Sequence, residues 1–427
     1  MNNPAETGII FLTDLPKNKI YIDLNSKFKS EIFQKAKGIS GTWVNLGRDI
    51  GLKTSENGKC KPLECIRENK RFKVEILLKV LDFLNSNNII VKEEDINRNI
   101  KLLSTRHNNN SNRLSNSIYK PIFPINLNNK DGATLIAAFL GDGGIDKDFK
   151  PHYNNNEIYL KDKVCKSFCS VFGSISGKAR DYHNQQIYFP KVAGIILCEC
   201  LGMKNGRKTE INPTIPWFVA QGNDKIKSSF LQQIYDDEGW VYFKKESSQR
   251  SVGIKFANKI EIQKELHATI KRLNSASYPP EIIKEIKLMN ESFGIKTTNL
   301  ECVDIYKTKK GIYNSKWVFY IRRKDNIYKF MDKISFCLKR KREKLIRAYN
   351  SFHDFEKSRA NRAKIILAGC REIEMDEGNI TSMSLSSKFD KSRPWSKMVI
   401  RDLRKKGYLL LEKPRHGTIG AKYKLVH

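Results

Sequence analysis

The sequence predicts an α+β fold: a pseudo-two-fold pair of αββαββα units, with a helical domain before it and a winged helix after it. Three observations predict this. Two apolar helical stretches, LIAAFLGDGGI at Leu135 to Ile145 and FLQQIYDDEGWV at Phe230 to Val241, each run into acid and stop at glycine. After each, short alternating segments interleave with helical ones, the pattern of strands backed by helices. At the C-terminal end, three helical segments precede two alternating segments joined by a Pro/Gly turn.

Composition frames what such a chain can do. Its 427 residues argue for two to four domains, and a hydrophobic content of 40% is enough for real cores. Lys and Arg total 78 against 46 Asp and Glu, a formal net charge of +32. An excess of that size points to a polyanionic partner. No apolar run is long enough for a membrane span. The N-terminal segment lacks the layout of a signal peptide, so a cytoplasmic protein is expected. Nine scattered cysteines fit reduced thiols; Cys60/Cys65 and Cys165/Cys169 each lack the second pair that a structural zinc needs.

Residues 1–85 read as a helical, helix-turn-helix-like domain. Ser26 to Lys37 places Phe28, Ile32 and Phe33 on one face. Thr42 is an N-cap for Thr42 to Ile50, and further helices are expected at Pro62 to Asn69 and Phe72 to Leu84. Lys53, Lys59, Lys61, Arg67, Lys70 and Arg71 cluster there, which favours DNA contact over a purely structural module. Residues 86–130 are Asn-rich, with NNNSN at 108–112, and read as a linker.

Residues 131–228 and 229–350 are the two repeats. In the first key helix Leu135 to Leu140 leaves no polar face, so the helix should be buried all round. The second ends Asp236-Asp237-Glu238-Gly239. Acid at a helix C-terminus is repelled by the dipole at ~0.3–1 kcal/mol. A chain that places acid there twice implies a cation between the helix ends, and two facing carboxylates outline a divalent-metal site.

These residues resemble the LAGLIDADG homing endonucleases. Aligned on the final glycine, Asp142 and Glu238 both fall on the family's metal-binding acid, and they lie 96 residues apart, as suits the monomeric two-repeat form. The resemblance covers the central half of the chain. Leu140 stands where the motif has its first acid. Gln233 and Asp237 stand where the family has small residues that let the helices approach, so a looser crossing is implied. The resemblance also implies two basic residues near the site: Lys208, in the GRKTE segment that joins the repeats, and Lys341, in ISFCLKRKREKL (334–345). The bland alternatives are a solvated loop lysine and a phosphate-binding helix.

In the remainder of the repeats, strands are expected at Glu157 to Leu160, Gln186 to Phe189, Trp240 to Phe243, Val252 to Phe256, Cys302 to Thr308 and Trp317 to Arg322. Helices are expected at Lys163 to Phe172, Val192 to Leu201, Lys259 to Leu273 and Asn326 to Ile334. From Ile321 to Arg347 there are eleven Lys/Arg and three acids; Arg322, Arg323 and Arg340 are read as DNA contacts. Residues 351–427 read as a winged-helix-like domain: helices at Asn361 to Ile373, Ser382 to Phe389 and Trp395 to Lys406, then two strands around the wing at 414–420. Arg401, Arg404 and Lys405 are its expected DNA contacts.

The resemblance implies site-specific hydrolysis of double-stranded DNA by a monomer, with Asp142 and Glu238 holding Mg²⁺ or Mn²⁺ and Lys208 and Lys341 offsetting charge at the scissile phosphates. An all-oxygen site suits Mg²⁺. No phosphate-binding loop of the Gly-x4-Gly-Lys-Ser/Thr type occurs, so ATP use is not supported. Two rival classes remain open: an RNA-binding intron maturase and a non-cleaving DNA-binding regulator.

Overall fold

The structure, a computed structural model, describes residues 3–54, 59–67, 70–105, 117–175, 186–244, 249–260, 277–414 and 420–426. The chain is mixed α+β with small antiparallel sheets. It divides into two compact units, Met1–Ala348 and Tyr349–His427.

The N-terminal part of the first unit departs from the all-helical expectation. It comprises α1 (Pro4–Thr7), β1 (Ile9–Ile10), β2 (Tyr21–Leu24), α2 (Ser26–Ser40), α3 (Trp43–Asp49), α4 (Lys61–Arg67), β3 (Phe72–Lys73), α5 (Val74–Ser86), α6 (Glu93–Asn99), β4 (Ile100–Ser104) and β5 (Ser117–Tyr119). β2, β3, β4 and β5 make one antiparallel sheet in the order β3-β2-β4-β5. Ile22, Leu24, Leu103 and Ile118 are wholly buried in it. α2 and α5 pack together, and the Phe33 and Phe72 rings meet edge-on at 5.4 Å. Residues 86–130 are therefore not simply a linker: they supply two strands of this sheet. The apolar positions of β4 are only a few residues long, and the Asn-rich composition around them masked the alternation. The NNNSN run lies outside the described residues.

β6 (Ile125–Asn126) pairs with β1 and leads into α7 (Lys130–Leu140). Asn129 caps α7 by accepting from the Gly132 N–H, and every residue from Gly132 to Leu140 is buried, as the uniformly apolar sequence requires. β7 (Gly143–Ile145), β8 (Pro151–Asn154) and β9 (Gln186–Tyr188) form an antiparallel sheet in that order. Between them runs α8 (Ile158–Phe172), and α9 (Lys191–Leu201), α10 (Lys208–Ile211) and α11 (Trp217–Ala220) follow. The strand expected at Glu157 to Leu160 is instead the first turn of α8. Leu160, Val164, Phe168 and Phe172 recur at helical spacing and are all wholly buried, which sets the segment's period.

The chain continues with α12 (Asp224–Glu238), β10 (Gly239–Phe243), β11 (Arg250–Lys259), α13 (Glu281–Ser292), β12 (Glu301–Lys307), β13 (Tyr313–Ile321) and α14 (Lys324–Lys333). Its sheet has the order β10-β11-β13-β12, antiparallel throughout. Val252, Ile254, Phe319 and Ile321 bury one face, and Ile283 and Ile286 of α13 are wholly buried. Lys259 ends β11, and residues 261–273 of the helix expected at Lys259 to Leu273 lie outside the described residues; α13 is a further helix between the strand pairs. α7 and α12 pack directly on each other.

α15 (Lys339–Glu377) follows as one long helix, so the expected helix at Asn361 to Ile373 is only its later portion. The C-terminal unit continues with α16 (Ser382–Lys388), α17 (Arg393–Lys405), β14 (Leu409–Lys413) and β15 (Lys422–Leu425). It has a core of its own, in which Cys370, Ile380, Leu385 and Leu409 are buried with Val399, Ile400 and Leu403. Residues 415–419, the tip of the expected wing, lie outside the described residues.

Candidate active site

The C-terminal ends of α7 and α12 carry the acids. α7 stops at Gly141, whose N–H closes on the Ala137 carbonyl, and Asp142 follows at once. α12 stops at Gly239, leaving Glu238 as its last residue. Both carboxylates are half-buried. The Asp142 Oδ2 accepts from the Asn155 side-chain amide at 2.6 Å. Burial pushes the Asp142 carboxyl above its ordinary range, against the Asn155 hydrogen bond and the Lys208 and Lys341 charges. Burial raises Glu238 too; Lys208 opposes the rise, and the like charge of Asp142 adds to it. The two acids therefore feel each other across the helix pair.

A lysine sits at each helix end. Lys208, at the start of α10, donates its Nζ to the Leu140 carbonyl at 3.2 Å. Lys341, in the first turn of α15, donates to the carbonyls of Asp236 at 2.6 Å, Gly239 at 2.6 Å and Tyr235 at 3.1 Å. When the two helices are aligned on Asp142 and Glu238, Leu140 and Asp236 are equivalent positions. Each ammonium thus satisfies orphan carbonyls at the negative end of its helix. Burial lowers the pKa of both lysines, opposed by Glu238, Asp142 and Asp237 at Lys208, and by Asp236, Asp237 and Asp142 at Lys341. The electrostatic debt of acid at a helix C-terminus is met first by these ammonium groups.

A third carboxylate lies in the helix crossing. Asp237 Oδ1 accepts from the Tyr153 hydroxyl at 2.6 Å and from the Gln233 amide at 3.0 Å, and its Oδ2 accepts from the Asp142 N–H at 3.4 Å. Burial raises its pKa well above the ordinary value, and the Asp142 charge raises it further, against those three donors. Gly141 makes room for it: a Cβ there would lie 2.5 Å from Asp237 Oδ2. At this level the crossing is therefore close rather than loose, because the large residue on α12 meets a glycine on α7. Its neighbour Asp236 is 2% exposed and accepts from the backbone N–H groups of Cys337 and Leu338, which anchors the segment leading to Lys341.

Four predicted site residues, Asp142, Glu238, Lys208 and Lys341, are brought together. The others are not. The Arg322 guanidinium lies 4.7 Å from the Tyr320 ring centroid, Arg323 sits at the N-cap of α14, and Arg340 pairs with Glu157 at 2.8 Å. Arg401, Arg404 and Lys405 belong to the C-terminal unit. Asn155, Tyr153 and Gln233 escaped the sequence reading. Tyr153 and Asn155 are separated from Asp142 by a turn whose path no local pattern encodes. Gln233 was visible only as a departure from small residues.

As a cation site the arrangement offers oxygen donors alone. Among the described residues Glu238 accepts no hydrogen bond and Asp142 accepts one from a side chain, so carboxylate oxygens remain free for a hard divalent ion. Also among the described residues, no group of three or more His, Cys, Asp or Glu side chains could hold a metal, and no helix is long and apolar enough to cross a membrane. The chain matches no model of a known protein family and no curated protein.

Proposed function

We propose that the chain is a site-specific, double-strand DNA endonuclease of the LAGLIDADG kind, in which the stretches that carry α7 and α12 act as the two halves of a single-chain pseudo-dimer. One observation carries this reading: α7 and α12 pack on each other with the Asp142 N–H on the carboxylate of Asp237, the residue before Glu238, at 3.4 Å, and Lys208 and Lys341 lie on equivalent helix-end carbonyls. In this reading Asp142 and Glu238 hold Mg²⁺ or Mn²⁺. A divalent ion there supplies a more acidic bound water and charge stabilisation at the departing oxygen. The chain's own residues do the rest. Asn155 fixes the orientation of the Asp142 carboxylate. Asp237, Tyr153 and Gln233 lock the crossing and hold the Asp142 backbone. Lys208 and Lys341 keep positive charge beside the position of a scissile phosphate. The net charge of +32 supplies the attraction for a long duplex.

The test is a selection for cleaved molecules from a random duplex library in Mg²⁺, followed by Asp142→Asn and Glu238→Gln on the selected target. Both variants are expected to lose cleavage at least a hundredfold and retain binding. Binding by the unmodified protein without cleavage under any divalent ion would overturn the nuclease reading in favour of a regulator.

A further inference from the structure

The C-terminal unit carries a second, separate feature. α17 buries Ser396, Val399, Ile400 and Leu403 and turns Arg393, Lys397, Arg401 and Arg404 to solvent. These four follow helical spacing, so they share one stripe. From Arg393 to Arg404 the stripe rises ~16 Å at 1.5 Å per residue. With Lys405 and Lys422 of β15 they line a groove of about 810 Å³. Among the described residues no carboxylate lines it, and its other polar side chains are hydroxyls only. Among the described residues none of the six cations makes an ion pair, whereas Lys388 and Lys424 of the same unit are paired with Glu372 and Glu412. Six like charges around one concavity repel each other unless an anion lies between them.

We infer that this groove is a sequence-independent anchor for the phosphate backbone of duplex DNA, distinct from the cleavage centre. The length of the stripe corresponds to about five base-pair steps at 3.4 Å each. Among the described residues the groove presents no Asn, Gln, Asp or Glu, so adenine and cytosine edges have no reader in it; its cations, spaced along one stripe, suit a track of phosphates, and guanine reading by its arginines is what the comparison of duplexes tests. That differs from the base-reading role expected of a recognition helix. The arginines and lysines release counterions on binding, and the affinity they confer falls steeply with salt.

The inference is tested on the full-length protein in EDTA, so that no cleavage enters and the outcome is independent of the nuclease reading. Affinity is measured by fluorescence anisotropy on three unrelated duplexes between 50 and 200 mM salt. With a slope of about 0.9 per phosphate contact, Lys397→Ala/Arg401→Ala/Arg404→Ala should lose ~40-fold less affinity over that range than the unmodified protein. The reduction should be the same on every duplex. Lys397→Arg/Arg401→Lys/Arg404→Lys should keep the original slope, which separates charge from folding. An unchanged slope in the alanine variant overturns the inference. So does a loss confined to one duplex, which would mean base reading, or displacement of DNA by polyglutamate at equal charge, which would mean an acidic protein partner.

Discussion

Gly141→Ala probes the contact on which the helix crossing depends. The backbone at Gly141 has φ −86° and ψ −114°, so no positive φ demands glycine. Its cost should come from space. The new Cβ would lie 2.5 Å from Asp237 Oδ2, 2.8 Å from Asp237 Cβ and 3.1 Å from the Ala137 carbonyl oxygen. Carbon atoms rest at ~3.5–4.0 Å, so α12 must retreat by about 1 Å or Asp237 must leave its donors. Overpacking of this kind costs ~1–3 kcal/mol, and weakening the Tyr153–Asp237 hydrogen bond adds ~1–2 kcal/mol. A loss of ~2–5 kcal/mol is expected in the urea transition of the Met1–Ala348 unit. Asp237→Gly removes both atoms that clash. The double variant Gly141→Ala/Asp237→Gly should therefore be more stable than the sum of the single effects by ~1–2 kcal/mol. Strict additivity, or a cost below ~0.5 kcal/mol for Gly141→Ala alone, would refute the packing argument.

Three other outcomes follow from the same geometry. Lys341 donates to three carbonyls and Lys208 to one; Lys341→Met should cost ~3–5 kcal/mol in urea unfolding and Lys208→Met ~1–2 kcal/mol, and equal costs would contradict the difference in capping. Burial lowers the His152 pKa, so the folded state prefers the neutral ring. Its contribution is then fully present above the unfolded value of ~6.5 and is lost as pH falls through that value toward the folded one. The urea midpoint should drop between pH 7 and pH 5, and His152→Gln should flatten the drop; an identical pH profile in the variant would count against it. Burial pushes the Cys370 thiol up to about 11. Its alkylation at pH 8 should be slower than that of a free thiol by at least tenfold and should track unfolding of the C-terminal unit, as followed by mass spectrometry.

The parts of the structure legible in the sequence are those where one period runs long enough to exceed local noise. α7 could be read as buried all round because six consecutive apolar residues permit nothing else. β13 could be read from the alternation in Trp317 to Ile321. α17 announced itself through its apolar spacing. β2 and β4 were missed because each has only four or five residues, and their pairing joins positions about eighty residues apart. α13 lies outside the helices expected from the sequence, although Ile282, Ile283, Ile286 and Met289 have helical spacing and Pro280 marks its start. At the site, charges at helix ends could be seen in the chain. The partners that satisfy them, Asn155 and Tyr153 above all, depend on how β8 returns past α7, which is a tertiary fact.

The stretches that carry α7 and α12 differ where they touch, and the difference has a physical reason. At one level of the crossing, α7 contributes Gly141 and α12 contributes Asp237. In a pair of identical helices the same level would hold two glycines or two carboxylates. Two glycines would leave a void with no partner atoms for its lining. Two buried carboxylates would face each other without enough donors, and one would have to hold a proton. The present pairing fills the glycine notch with a carboxylate already satisfied by Tyr153 and Gln233. Position 341 shows the same divergence: its lysine takes three carbonyls, where Lys208 takes one. Such one-sided solutions are open to two different helices of one chain, whereas a symmetric dimer would impose both members of each pair on both halves.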